Sequence, residues 1–129
     1  MTTTPAPAPQ TDTVVSHVLQ AWQKHVDAHD ADAVAAVFTR DALFQGLRPT
    51  HSTGRDGVRA YYAAQPLGMK VTYQVLSTRA VSDSAIAAFA RLTFDFPDGH
   101  TIPVHLTAVV EQHTDRWQIS HYHVSRIEA

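Results

Sequence analysis

The sequence predicts an α+β domain in which helices come first and a meander of antiparallel strands follows. Apolar residues recur at helical spacing as far as Ala64, and from Lys70 onward they alternate with polar ones. Turn signals at Asp83-Ser84, Pro97-Asp98-Gly99 and Thr114-Asp115 then divide the second half into four strands. With 129 residues, of which 44% are hydrophobic, the chain has the size and apolar content of one domain with one core.

Met1 to Gln10 is Thr, Pro and Ala-rich and offers nothing to bury, so residues 1–11 are expected to form a disordered tail and 12–129 the domain. Asp12 is a plausible cap for a first helix whose inner positions are Val15, Val18, Leu19, Trp22 and Val26. The pattern breaks at His29-Asp30, and Asp30 can cap a short second helix with Val34, Val37 and Phe38 on its apolar side. Ala42 to Gly46 reads as a short strand and Leu47 to Gly54 as a loop. Asp56 to Ala64 reads as a third helix, with Val58, Tyr61 and Tyr62 inside and Pro66 closing it. The four strands are Lys70–Val81, Ala85–Phe96, Thr101–Gln112 and Trp117–Ile127. A meander preceded by helices implies helices covering one face of an antiparallel sheet.

Composition narrows the function classes. A net charge of −2 without a basic run argues against nucleic acid as a partner. No apolar stretch approaches the roughly 20 residues that span a bilayer, so no membrane partner is expected. The absence of cysteine removes disulfides, thiolate metal sites and a cysteine nucleophile. The first residues lack the pattern of a secretory signal, and a cytoplasmic location is the default expectation.

The turns allow the strands to be phased. A two-residue Asp98-Gly99 turn sets Arg91 opposite Leu106, and an even-length loop around Thr114-Asp115 sets Ala108 opposite His121 and Leu106 opposite His123. One face then carries Phe89, Arg91, Thr93, Asp95, Val104, Leu106, Ala108, Val110, Trp117, Ile119, His121 and His123. The other carries Ala88, Ala90, Leu92, Phe94, His105, Thr107, Val109, Tyr122 and Val124. The first face is expected under the helices, because it keeps the row Val104, Leu106, Ala108 and Val110 covered. The second, also largely apolar, is expected to be covered by another copy of the chain, giving a homodimer through the outer sheet face. A three-residue turn with a bulge at Pro97-Asp98-Gly99 slips this register by one and sends Arg91 to the side of His105, Thr107 and Tyr122.

This order of elements, ending in Trp117-Gln118-Ile119-Ser120-His121-Tyr122-His123-Val124-Ser125, resembles the nuclear transport factor 2-like (SnoaL-like) superfamily from about Asp12 to Ile127. The resemblance implies a cone-shaped fold: a strongly curved sheet wrapped around a helix, with a small-molecule pocket at the open end. The segments Ala90-Arg91-Leu92-Thr93 and His121 to Ser125 are similar to the association (hub) domain of calcium/calmodulin-dependent protein kinase II, which implies a pocket position for Arg91; the hub's second pocket arginine falls at Ala108 here. The segments Asp41 to Pro49 and Tyr61 to Met69, with the final strand, look like the SgcJ/EcaC group. That likeness implies a role in antibiotic biosynthesis of the enediyne kind, on a hydrophobic polyene or polyketide intermediate. The catalytic aspartate motifs of SnoaL-type cyclases and ketosteroid isomerase find no match in this chain.

The candidate catalytic residues are therefore His121, His123, Arg91 and Asp95. A mid-strand guanidinium among apolar neighbours asks for an anion, either a ligand carboxylate or enolate or the Asp95 side chain. Imidazoles near neutrality can serve as acid or base, or can be satisfied by backbone or tyrosine hydroxyls. A metal on His121, His123 and Asp95 is the weaker reading, so neither metal nor cofactor is expected. Trp22, Phe44, Tyr61, Tyr62, Phe89, Leu106, Ala108 and Ile119 are expected pocket walls. Gln45 and Arg48 flank a Pro-Thr-rich loop that can gate entry. Three functions compete: a cofactor-independent enzyme (proton transfer, isomerisation, cyclisation or hydrolysis), a carrier that shields a reactive intermediate for a pathway enzyme, and a dimerisation module.

Overall fold

The computed structural model describes residues 8–128, so most of the expected disordered tail lies outside the described residues. Helix α1 (Ala8–Asp27) begins four residues ahead of the expected Asp12. Asp12 is not its cap: its carboxylate accepts from the Thr78 hydroxyl. Val15, Val18, Leu19, Trp22 and Val26 form the buried stripe that the spacing predicts. His29, at φ 55°, reverses the chain, and Asp30 caps α2 (Ala31–Ala36) by accepting the Ala33 N–H at 3.1 Å. Helix α3 (Arg55–Ala63) lies against α2, and Arg59 bridges Asp32 and Asp56 at 2.7 Å each. These pairs are exposed and contribute little to stability.

Six strands form one sheet in the order β2-β1-β6-β5-β4-β3. They are β1 (Phe38–Gln45), β2 (Ser52–Thr53), β3 (Lys70–Ser82), β4 (Ala85–Asp95), β5 (Thr101–His113) and β6 (Arg116–Arg126). The sheet is antiparallel except where β1 runs parallel to β6. Strand β1 starts four residues before the expected Ala42, because Val37 and Phe38 already bond to β6. The Val37 carbonyl accepts the Ile119 N–H at 2.9 Å, and Gln118 Nε2 donates to the Ala36 and Phe38 carbonyls. The helices pack on the concave side of the curved sheet, and the core lies between.

The register between β4 and β5 is the slipped one. Arg91 pairs with His105 and Leu92 with Val104. Pro97-Asp98-Gly99 is a three-residue turn: Gly99 N–H bonds to the Phe96 carbonyl, Gly99 takes φ 95°, and Phe96 N–H bonds to the His100 carbonyl. Between β5 and β6 the two-residue Thr114-Asp115 turn holds, and Val110 faces Ile119 as expected. A bulge at Ser120 then adds one residue, so Ala108 faces Tyr122 and Thr107 faces His123.

Both irregularities follow from burial. The row Val104, Leu106, Ala108 and Val110 is inward, as expected. On β4, however, the inward row is Ile86, Ala88, Ala90, Leu92 and Phe94 rather than Phe89, Arg91, Thr93 and Asp95. On β6 it is Ile119, Tyr122 and Val124 rather than His121 and His123. Each chosen row buries more apolar surface and leaves no charged group in the interior.

Candidate functional site

The interior of the cone is an aromatic cluster. Phe44, on β1, stacks on Tyr122 with ring centroids 4.8 Å apart, and it meets Phe38, Tyr61 and Tyr62 at 5.1 to 5.7 Å. Trp22 of α1 meets Tyr122 and Phe94. Trp22 Nε1 donates to the Tyr62 hydroxyl at 3.1 Å, and the Tyr62 hydroxyl donates to that of Tyr122 at 3.4 Å. Burial pushes both phenols well above the usual tyrosine range, so they are neutral hydrogen-bond donors at physiological pH.

Of the expected wall residues, Trp22, Phe44, Tyr62, Leu106, Ala108 and Ile119 do meet in this interior, all at most 3% exposed. They pack on one another as core. Among the described residues, the buried polar side chains besides these aromatics are Thr11, Thr39 and Gln118, so the interior holds neither carboxylate nor imidazole.

The expected catalytic group is not inside. Arg91 and His123 are exposed on the convex face, and His121 and Asp95 are partly exposed there. Phe89, expected as a pocket wall, is 41% exposed on the same face and lies against the His105 ring at 5.1 Å. The inward placement of Arg91, His121 and His123 is thus corrected by the turn at Gly99 and the bulge at Ser120. The convex face is mixed rather than largely apolar, since Ala88, Ala90, Leu92, Phe94, Tyr122 and Val124 turn inward. Among the described residues, no three His, Asp or Glu side chains are grouped so as to hold a metal ion.

Where side chains leave open space, the sequence-predicted residues gather around the loop after β1. A recess of about 320 Å³ lies between this loop and α3, lined by Phe44, Gly46, Arg48, Thr50, His51, Ser52, Gly57, Ala60 and Tyr61. A second opening, a groove of about 240 Å³, is lined by Leu43, Phe44, Gln45, His51, His121, Tyr122 and His123. Phe44 and His51 wall both. The loop is shaped locally. Gln45 Nε2 donates to the carbonyls of Arg48 and Pro49, at 3.3 Å each, and the Leu47 N–H donates to the Tyr61 hydroxyl at 2.9 Å. Gly46 is required because the Tyr61 ring lies where its Cβ would stand. Burial raises the Tyr61 pKa, while the Leu47 bond and the charges of Arg48 and Arg126 oppose that rise.

The space therefore has an apolar aromatic wall, Phe44 and Tyr61, and one imidazole shared by two openings, His51. His51 was not singled out from the sequence. The available signal was a histidine inside a Pro-Thr-Ser-Gly loop directly after a strand.

A family model for the SnoaL-like domain matches residues 15–128. The chain belongs to the SnoaL-like family. Solved structures agree on the SnoaL-like fold at low identity. A ketosteroid isomerase-like protein from Erwinia carotovora atroseptica shares 18% identity at a TM-score of 0.71, over 91% of this chain and 96% of its own. A domain of unknown function with a cystatin-like fold from Nostoc punctiforme shares 17% at 0.81, over 93% and 79%. A scytalone dehydratase candidate from Novosphingobium aromaticivorans shares 12% at 0.76, over 91% and 84%. No curated protein sequence matches this SnoaL-like chain. Among its described residues no helix is long and apolar enough to cross a membrane.

Proposed function

We propose that this SnoaL-like chain is a small-molecule-pocket protein of enediyne or polyketide antibiotic biosynthesis, acting without a cofactor on a hydrophobic intermediate by proton transfer, isomerisation, cyclisation or hydrolysis. The observation that carries the reading is the recess in which the aromatic wall of Phe44 and Tyr61 meets the His51 imidazole. An apolar lining with few convergent polar groups is what small ligands use, and an imidazole can give or take a proton. The pathway assignment rests on the SgcJ/EcaC resemblance. The two loop and helix segments that carry it, Asp41–Pro49 and Tyr61–Met69, supply Phe44, Gly46, Arg48 and Tyr61 to this recess. His121 and His123, from the third segment, line the adjoining groove.

A second reading, a carrier that shields a reactive intermediate, is favoured by the recess lining, which brings no carboxylate to pair with His51. One experiment separates the two. His51→Gln, His121→Gln and His123→Gln are made separately, product is followed in the producing host, and binding of the accumulated intermediate is measured on purified protein. Catalysis through His51 predicts a loss of turnover of about 10²–10⁴-fold with affinity retained. Unchanged product in all three variants rejects the acid-base reading and leaves the carrier.

Pairing of two copies through the convex face belongs to the same proposal. Its support is the exposure of Phe89 and Leu43, at 41% and 45%, on that face. Sedimentation equilibrium should return a dimer; a monomer at all concentrations contradicts it.

A further inference from the structure

The outward residues of the sheet form rows whose two flanks complement each other about β5. One row runs Phe89, Thr107, His123 and Gln45; the next runs Arg79, Ala87, Val109, His121 and Leu43. On the β4 flank stands a knob, the Phe89 ring, 41% exposed. On the β6 flank the same rows line the groove, through Leu43, Gln45, His121 and His123. One strand further out, Arg79 on one flank corresponds to Leu43 on the other, and Leu43 shares an adjoining recess with Asp41. The ion pairs among the described residues engage neither Arg79 nor Asp41, whose carboxylate accepts from the Thr39 hydroxyl at 3.0 Å.

We infer that the groove takes Phe89 of a second copy, through a two-fold axis that lies in the interface along β5. That operation exchanges the flanks. It sets Phe89 of each copy over His123 of the other, Arg91 over Ser125, and Arg79 toward Asp41. The interface is isologous and closed, and it covers both exposed rings at once. His105, Thr107 and Val109 meet their own counterparts on the axis, and Glu111, at the end of that row, is held by His113 at 3.0 Å. The second copy thereby supplies a wall beside His51, which lines groove and recess alike. His121 and His123 then belong to the interface, and His51 alone to the recess. This inference rests on the convex-face pairing proposed above and adds its axis and its contacts.

Sedimentation equilibrium on the full chain gives the dissociation constant, with far-UV circular dichroism to show that each variant is folded. Phe89→Ala should weaken pairing at least about tenfold, as loss of a buried aromatic anchor does. Arg79→Glu should weaken it too, and Asp41→Lys added to the same chain should restore most of that loss. Within one chain these two residues lie four strand spacings apart, about 19 Å, so the rescue has to cross the interface. Phe89→Ala and His123→Ala should be less than additive, although two strand spacings, about 10 Å, separate them in one chain. Dilution below the dissociation constant exposes His123 again. Full additivity of that pair, or no rescue by Asp41→Lys, in a protein that still dimerises overturns the inference while the pairing stands. A monomer at all concentrations overturns the pairing and this inference with it.

Discussion

Phe44→Ala is expected to destabilise the fold by about 3–5 kcal/mol, the range for removing a buried aromatic ring. Phe44 is 3% exposed and lies in ring contact with Phe38, Tyr61, Tyr62 and Tyr122, so its loss leaves a hole bordered by four rings that cannot all close on it. A domain of this size has about 5–15 kcal/mol in total, so the variant would stand near the edge of folding. Urea denaturation followed by far-UV circular dichroism gives the number. Phe44→Leu, which refills most of the space, should recover more than half of the loss. A cost below 1 kcal/mol for Phe44→Ala would mean that the aromatic cluster is not packed as described.

The second large effect is expected at Gly46. An added Cβ would lie 2.4–2.6 Å from Cζ, Cε2 and Oη of Tyr61. That ring cannot give way cheaply, because its hydroxyl holds the Leu47 N–H and it makes edge contacts with Phe44 and Tyr62 at 5.1 Å. Gly46→Ala should therefore cost about 1–3 kcal/mol, as overpacking does. The cause is tested by a cycle with Tyr61→Ala. If the clash is with the ring, the double variant loses less than the sum of the two single ones, since residues in contact couple. Strict additivity would place the strain elsewhere.

Much of the fold was legible in the sequence, because it depends on periodicity and punctuation. The α1 stripe, the Asp30 cap and the four long strands were readable, each to within a few residues apart from the α1 start. The family could be read from the order of these elements together with the last strand. The faces of β4 and β6 were not. A two-residue and a three-residue turn differ only in how Pro97, Asp98 and Gly99 are used, and a bulge at Ser120 leaves no mark in composition. The unused signal was comparative. Ala88-Ala90-Leu92-Phe94 is a more apolar row than Phe89-Arg91-Thr93-Asp95, and burial decides between such rows. The candidate site was half legible: Phe44, Gln45, Tyr61, Arg48 and the two histidines of β6 gather near one loop, but Arg91, Phe89 and Asp95 do not.

Strand phase underlies the whole account, and thiol labelling reads it directly, since the chain has no cysteine of its own. Single variants Arg91→Cys, His123→Cys, Ala88→Cys and Ala90→Cys are each exposed to a maleimide reagent under native conditions. With Ala88 and Ala90 at most 4% exposed, the first two should react as free thiols do and the last two only on unfolding. Fast labelling at Ala88 and Ala90 with protection at Arg91 and His123 would contradict the structure and return the guanidinium and the β6 imidazole to the interior.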